Sequence, residues 1–169
     1  VLYADPPWQY EHPISNSRKI ENQYSTMSLE SIKQMNISIA KDAVLYLWAT
    51  APKLTEALSV MDSWGFAYRS CAIWDKGMIG MGYWFRIQHE LLLVGVRGKK
   101  SPPKPEQRVS SILCVKRGQH SSKPDQVRHM ISTWYPNERK LELFAREAHE
   151  GWDSFGNQVE STLFAYSKP

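Results

Sequence analysis

Asp5-Pro6-Pro7-Trp8 is the stretch of this sequence best equipped for chemistry. It follows an apolar run, Val1-Leu2-Tyr3-Ala4, that predicts a buried strand. Neither proline has an N–H for a strand ladder, so the chain must leave the sheet just after Asp5. A carboxylate, an exposed carbonyl and an aromatic ring then stand at the carboxyl end of a strand, where open α/β sheets bind their ligands. This group suits methyl transfer to an exocyclic amine of a nucleobase. Such an amine is a poor nucleophile because its lone pair is delocalised into the ring. The carboxylate and the carbonyl can each accept one of its hydrogens. That drives the nitrogen toward sp³ and frees the lone pair to attack an activated methyl. The Trp8 ring offers a face for a base taken out of its stack. The plainer alternative is a rigid turn with a packed tryptophan.

The elements that must position these residues begin with the chain as a whole. Its 169 residues predict a single domain, 1–169, with a sizeable core. The net charge of +4 is compatible with a polyanionic partner without requiring one. Seven Trp and eight Tyr are many for this length, and most are expected in the core. Cys71 and Cys114 lie in apolar segments, which predicts two buried thiols in a reducing compartment. Neither has ligand spacing to a His or a second Cys, so no metal site is expected. No apolar run approaches the ~20 residues of a membrane span. With no signal peptide visible, the expectation is a cytoplasmic protein.

After Trp8, residues 9–24 form a polar stretch that includes Arg18, Lys19 and Tyr24, read as a mobile lid or else a passive surface loop. A short helix follows over 28–35, with Ser28 as its cap. Residues 43–49 read as a buried strand. Thr50 then caps a helix with Pro52 in its first turn, whose stripe Leu54, Ala57, Leu58, Met61 and Trp64 is core. Residues 66–74 form the next strand, so strand, helix and strand alternate as in βαβ units with a mainly parallel sheet.

The stretch 76–86 combines Gly77, Gly80 and Gly82 with Lys76, Tyr83, Trp84, Phe85 and Arg86. It suits a nucleic-acid groove, with both cations as phosphate contacts, and is expected to lack order without that ligand. An ordinary loop whose aromatics cap the core is the alternative. His89-Glu90 opens a strand over 91–96 and is either a structural pair or a substrate contact. Residues 99–108 form a Pro- and Lys-containing loop, solvated or touching phosphate, and 111–115 a further strand.

Only four residues precede Asp5; if the chain is complete in this region, the parts for a cofactor come from downstream. Ser122 and Lys123 open a helix with apolar stripe Val127, Met130, Ile131 and Trp134, and its free first-turn N–H groups suit a carboxylate; simple capping by Ser122 is the alternative. A strand is expected over 140–146, in which Glu142 accepts ribose hydroxyls or orients Arg146. Asn157 and Gln158 suit an adenine edge, although Gly156-Asn157 also reads as a turn into a terminal strand over 161–166.

The Ala4-Asp5-Pro6-Pro7-Trp8 run resembles the signature of amino-methyltransferases acting on adenine N6. Among these it is similar to the family of the eukaryotic mRNA adenosine methyltransferase catalytic subunit, which has bacterial and phage members. Tyr24-Ser25-Thr26-Met27, Gly80-Met81-Gly82-Tyr83-Trp84 before His89-Glu90, Val94-Gly95-Val96-Arg97-Gly98, Glu142-Leu143-Phe144-Ala145-Arg146 and the run from Trp152 to Gly156-Asn157-Gln158 resemble further family motifs in the same order. The resemblance implies an α/β Rossmann-like methyltransferase fold, a mainly parallel sheet with helices on both faces. The motif order is permuted, catalytic group first and cofactor group last. It implies S-adenosylmethionine as cofactor, held by Asp5, Ser122, Lys123, Glu142, Phe144, Arg146, His149, Asn157 and Gln158. His149 here fills the place of a ribose-contacting Asn or His that cannot be aligned cleanly. Catalysis falls to Asp5, Pro6, Pro7 and Trp8, and substrate contact to Arg18, Lys19, Tyr24, Lys76, Tyr83, Trp84 and Arg86. DNA is favoured over RNA, because the compact form looks bacterial or phage-like. A non-catalytic nucleic-acid-binding subunit is the remaining alternative, opposed by the intact Asp5. The lack of a target-recognition insert leaves room for a homodimer or a partner subunit. Family members also use residues upstream of the catalytic strand for the cofactor's adenine ring.

Overall fold

The computed structural model describes residues 1–10, 26–116, 123–156 and 159. The fold is organised by β2 (Ala43–Ala49), which is buried along its whole length. Side chains alternate across a strand with a period of two. Ala43, Leu45, Leu47 and Ala49 therefore join one core, and Val44, Tyr46 and Trp48 another. The first core also takes Leu2 and Ala4 of β1 (Leu2–Ala4), Ile32 of α1 (Leu29–Lys33), and Ala57, Val60 and Met61 of α2 (Leu54–Ser63). The second takes Tyr3, Leu92, Trp152, and Val127 and Ile131 of α3 (Asp125–Trp134). Few helices thus cover two faces of one sheet.

Among the described residues the sheet has seven strands in the order β5-β3-β4-β2-β1-β6-β7. The remaining strands are β3 (Ala67–Asp75), β4 (His89–Arg97), β5 (Ile112–Cys114), β6 (Leu141–Leu143) and β7 (Asp153–Phe155). β1 lies parallel to both β2 and β6, β6 to β7, and β3 to β5. β4 is antiparallel to both of its neighbours, β2 and β3. The sheet is mixed and mostly parallel. β2, α2 and β3 do not form a simple βαβ unit, because β4 is inserted between the two strands. Hydrophobic periodicity carries no direction, so an all-apolar run such as 91–96 reads the same whichever way it points.

Several local expectations change. Ser28 does cap α1, its Oγ accepting the Ser31 N–H at 3.2 Å. Thr50 makes no side-chain cap; its hydroxyl pairs instead with Tyr10 at 2.7 Å, and a 3₁₀ turn, Ala51–Lys53, leads into α2. Leu54 is exposed, and Val60 takes a core place that the stripe had not included. Cys114 is exposed and Cys71 half-buried, both free, so the two thiols are not the buried pair expected. The edge position of β5 leaves Cys114 outside the core. The loop 99–108 is not simply solvated. Pro102, Pro103 and Arg108 join Val94, Val96 and Trp134 around a groove of about 550 Å³ on the sheet face next to α3. No helix of the described residues is long and apolar enough to cross a membrane.

Candidate active site

Six strands run one way and β4 the other, so the carboxyl ends of the six and the amino end of β4 share one edge. β1 delivers Asp5 there, β3 delivers Asp75, and β4 begins there with His89 opposite Asp75 and Glu90 opposite Trp74. The reversal of β4 is what places an acidic side chain beside the Asp5 edge.

At the tetrapeptide the chain turns out of the sheet as the two prolines require. The Trp8 N–H donates to the Pro6 carbonyl at 2.9 Å, and the Met27 N–H donates to the Pro7 carbonyl at 2.9 Å. Both carbonyls are therefore engaged rather than simply exposed, each keeping a second lone pair for another donor. Trp8 is only 6% exposed, belongs to the first core, and donates its indole N–H to the Trp48 carbonyl at 3.2 Å. It is an anchor for the turn and not the open stacking platform expected of it. Met27, also paired with Trp8 in an isolated bridge, returns the chain to the point that it left.

Lys123 closes the site from the far side of the sequence. Its Nζ lies 2.7 Å from Asp5 Oδ2 and 3.3 Å from Glu90 Oε2. Glu90 Oε1 in turn lies 3.3 Å from Lys76 Nζ. Two cations and two carboxylates thus alternate along the edge. The floor is Trp48, whose ring lies 5.7 Å below the Lys123 ammonium and whose indole N–H donates to the Tyr3 hydroxyl at 2.7 Å. Burial alone would push the Lys123 pKa down; Asp5 and Glu90 outweigh it and hold the ammonium above the ordinary lysine value. Lys123 is charged throughout the neutral range. An ammonium has three N–H donors, and the two carboxylates occupy two of them.

Glu142 on β6 has a partner that the sequence did not suggest. It is clasped by Arg128 of α3, Nε to Oε2 at 2.9 Å and Nη2 to Oε1 at 3.1 Å. Arg128 also reaches Asp125 at 2.7 Å and lies 5.9 Å over the Tyr3 ring. Arg128 was not singled out from sequence; the Asp125-x-x-Arg128 pairing on one helical face was the available signal. Glu90's link to Lys123 was likewise unseen, because it depends on the direction of β4.

Next to Asp5, β6 ends in Phe144, the one non-glycine residue with positive φ, 63°, among those described. Such backbone is costly for a residue with a Cβ and is found where surrounding structure imposes it. Here Ala145 is tied to Phe155 of β7, N–H to carbonyl at 3.1 Å. Arg146 is exposed and His149 half-buried, its carbonyl accepting from Trp152 at 3.1 Å. Arg18, Lys19, Tyr24, Ser122, Asn157, Gln158 and most of the expected lid lie outside the described residues.

The stretch 76–88 joins β3 to β4 as a finger closed on itself, not the open segment expected. Lys76 N–H donates to Gln88 at 3.0 Å, Gly80 N–H to Ile87 at 3.0 Å, and Ile87 N–H to Met81 at 3.2 Å. Asp75 Oδ1 accepts from the Gly77 backbone and the Gln88 amide, both at 2.8 Å, bonds that lower its pKa. Tyr83, Trp84 and Phe85 do not cap the core: they are 87%, 96% and 85% exposed. Lys76 is committed to Glu90, and Arg86 Nε donates to the Gly80 carbonyl at 2.6 Å, so neither is a simple free phosphate contact. Among the described residues no group of three or more His, Cys, Asp or Glu is placed to hold a metal.

The family model MT-A70 matches residues 1–158 of this chain. The type II methyltransferase M.MunI of Mycoplasma sp is 34% identical, the match covering 94% of this chain and 77% of the relative. The N(6)-adenosine-methyltransferase MT-A70-like protein of Arabidopsis thaliana is 31% identical over 94% of this chain and 23% of its own length. The N(6)-adenosine-methyltransferase catalytic subunit METTL3 of Homo sapiens is 29% identical over 95% and 28%.

Proposed function

The chain belongs to the MT-A70 family of S-adenosylmethionine-dependent adenine-N6 methyltransferases, and from that premise we propose that its Asp5 edge methylates adenine N6 in DNA. The observation that carries this reading is the Lys123–Asp5–Glu90 cluster at the end of β1. It sets an ionised acceptor and an exchangeable cation on the edge where the prolines turn the chain away.

Asp5 accepts one N6 hydrogen, and the second lone pair of the Pro6 carbonyl accepts the other. Both acceptors are fixed before substrate arrives, one by Lys123 and one by the Trp8 N–H, so little reorganisation is needed at the transition state. S-adenosylmethionine, when bound, supplies the electrophilic methyl group. That methyl would pass to the N6 lone pair, and the proton that N6 gives up lies on its hydrogen bond to Asp5, whose side chain is 27% exposed to solvent. Lys123 fits the cofactor's carboxylate, because among the described residues its third donor has no partner and Lys76 shares the charge of Glu90. Glu142 accepts one bond from Arg128 on each oxygen and keeps a second lone pair on each, so it can accept the ribose hydroxyls while the fork holds it in place. Phe144, at the left-handed turn beside Asp5, is placed to pack against the cofactor, with Arg146, His149, Asn157 and Gln158 completing the site. The fold is the Rossmann-like one with its motif order permuted, in one domain.

DNA is favoured because the relative called a type II methyltransferase is matched over 77% of its length, and the named adenosine methyltransferases over 23% and 28%. Transfer of tritium from labelled S-adenosylmethionine into DNA and RNA, assayed in parallel with digestion to nucleosides, tests the reading. N6-methyladenine in DNA, absent with Asp5→Ala, is expected. Label in RNA alone would move the substrate to RNA, and label in neither would overturn the proposal.

A further inference from the structure

The finger carries a feature that methyl transfer does not by itself require. Three rings in succession, Tyr83, Trp84 and Phe85, stand almost fully in solvent at its tip. Exposed aromatics on a slack loop would gather against the core to escape water. These cannot, because the finger is cross-bonded from root to tip. Lys76 and Gln88 close its base, Gly80, Met81 and Ile87 its middle, and Arg86 bridges back to Gly80. The tip is tight as well: a Cβ on Gly82 would lie 1.9 Å from the Phe85 carbonyl, and one on Gly80 2.6 Å from that of Ile87. Only glycine allows the two limbs to approach so closely.

The root of this finger is part of the reacting group. Lys76 shares Glu90 with Lys123, which holds Asp5. The finger's root is therefore tied, through Glu90 and Lys123, to the carboxylate that must receive the adenine amine. An adenine paired in a duplex cannot present N6 to Asp5, because the amine is bonded to its partner and the ring is stacked. It must leave the helix, and the cost falls on unstacking and unpairing. A flat apolar ring inserted in the vacated position restores the stacking of the neighbouring pairs.

Resting on the reading of the Asp5 edge as an adenine-N6 site, we propose that Trp84, flanked by Tyr83 and Phe85, is a wedge that enters duplex DNA and occupies the place of the extruded adenine. The substrate class is then paired DNA, with Trp84 a positioning residue for base extrusion. Lys76 and Arg86 at the finger's sides bring positive charge toward the phosphates flanking the gap.

The test compares kcat/KM for wild type and Trp84→Ala on two DNAs of one sequence. In one the target adenine is paired; in the other it faces an abasic site and is already loosened. Trp84 packs on nothing, so the variant folds. The expected loss is roughly tenfold to hundredfold on the paired duplex, the scale of one base–aromatic stack, shrinking to a few-fold on the opened one. Trp84→Phe recovers most of the paired-duplex activity. Duplexes with 2-aminopurine replacing the target adenine read extrusion without any methyl transfer: fluorescence rises on binding wild type and much less on binding Trp84→Ala. Equal loss on both DNAs, or no loss on either, overturns the wedge. Equal loss with a shift from dimer to monomer in sedimentation assigns the tip to a subunit contact instead. Failure of wild type to methylate either DNA sinks the underlying reading, while the fluorescence arm still decides whether Trp84 extrudes the base.

Discussion

Lys123 and Arg128 reach the same sheet edge from the start of α3, and each holds two carboxylates, yet they are held in opposite ways. Arg128 spends its planar fork on partners within the fold: both oxygens of Glu142, then Asp125, with the Tyr3 ring beneath. Lys123 is a point charge at the end of a flexible stem, paired at 2.7 Å with Asp5 just after β1 and at 3.3 Å with Glu90 of β4, with one donor unspent among the described residues. A bidentate guanidinium is geometrically committed, whereas an ammonium can change partners with little movement. The contrast separates a clamp that holds α3 to β6 from a cation that can accept an arriving anion. On the proposed reading, the chemistry belongs to the Lys123 cluster and the rigidity to Arg128.

The comparison breaks most visibly at Asp5. Asp5→Ala is expected to lower turnover about a thousandfold by removing the main acceptor for the amine, while the protein still folds at reduced thermal stability because Lys123 keeps Glu90. Retention of more than about a tenth of wild-type turnover would remove Asp5 from the reaction, since a group preorganised for the transition state contributes far more than that. Lys123→Ala is expected to weaken S-adenosylmethionine binding about tenfold to a hundredfold, the loss of one charge-assisted contact. Calorimetry showing unchanged affinity would reduce Lys123 to an internal counter-ion for Asp5. Glu90→Gln leaves Lys123 with a single anionic partner, and turnover should fall roughly tenfold, about 1.4 kcal/mol in the barrier.

Arg128→Lys sharpens the other side. It keeps the charge but loses the fork on Glu142, so the expected cost is about 2 kcal/mol of stability, with turnover within about threefold of wild type. Urea denaturation and initial rates measured on the same preparation separate the two effects. A variant that lost activity without losing stability would move the clamp into the chemistry. The smallest effect is one of pH. The Lys123 pKa is raised in the fold, so the stability its pairs provide is fully present below the unfolded lysine value of about 10.5 and disappears as pH rises through the folded one. The stability difference between wild type and Lys123→Met should therefore be flat from neutrality to that value and shrink above it. A difference that changed between pH 7 and 9 would place the titrating group elsewhere.

What the sequence disclosed follows from what kind of information residues carry. Apolar runs and prolines are local signals, so β2 at 43–49 and the exit of the chain after Asp5 were legible. Direction and side-chain orientation are not local. The direction of β4 was therefore not legible, and with it the approach of Glu90 to Lys123 was lost. Trp8 was misplaced for the same reason, since four residues do not say which way an indole turns. β7 escaped notice because Asp153-Ser154-Phe155 is short and lacks apolar alternation; its pairing with β6 defines it. Lys123 was legible as an anion site, but its partners Asp5 and Glu90 are visible only when distant segments meet.

The place of β1 between β2 and β6 has a consequence for biosynthesis. Leu2 pairs with Leu45 on one side and with Leu141 on the other. During synthesis β1 can gain its second neighbour only once Leu141 has followed Leu45 out of the ribosome. At ordinary elongation rates the interval between these two partners is roughly five to twenty seconds. During it β1 carries an unpaired apolar edge at the heart of the future sheet, the condition under which nascent chains associate with one another. Such long-range pairing also slows folding. Because Lys123 and Phe144 arrive in the same late segment, a prematurely terminated chain retains the Asp-Pro-Pro-Trp motif without the cation that holds its carboxylate.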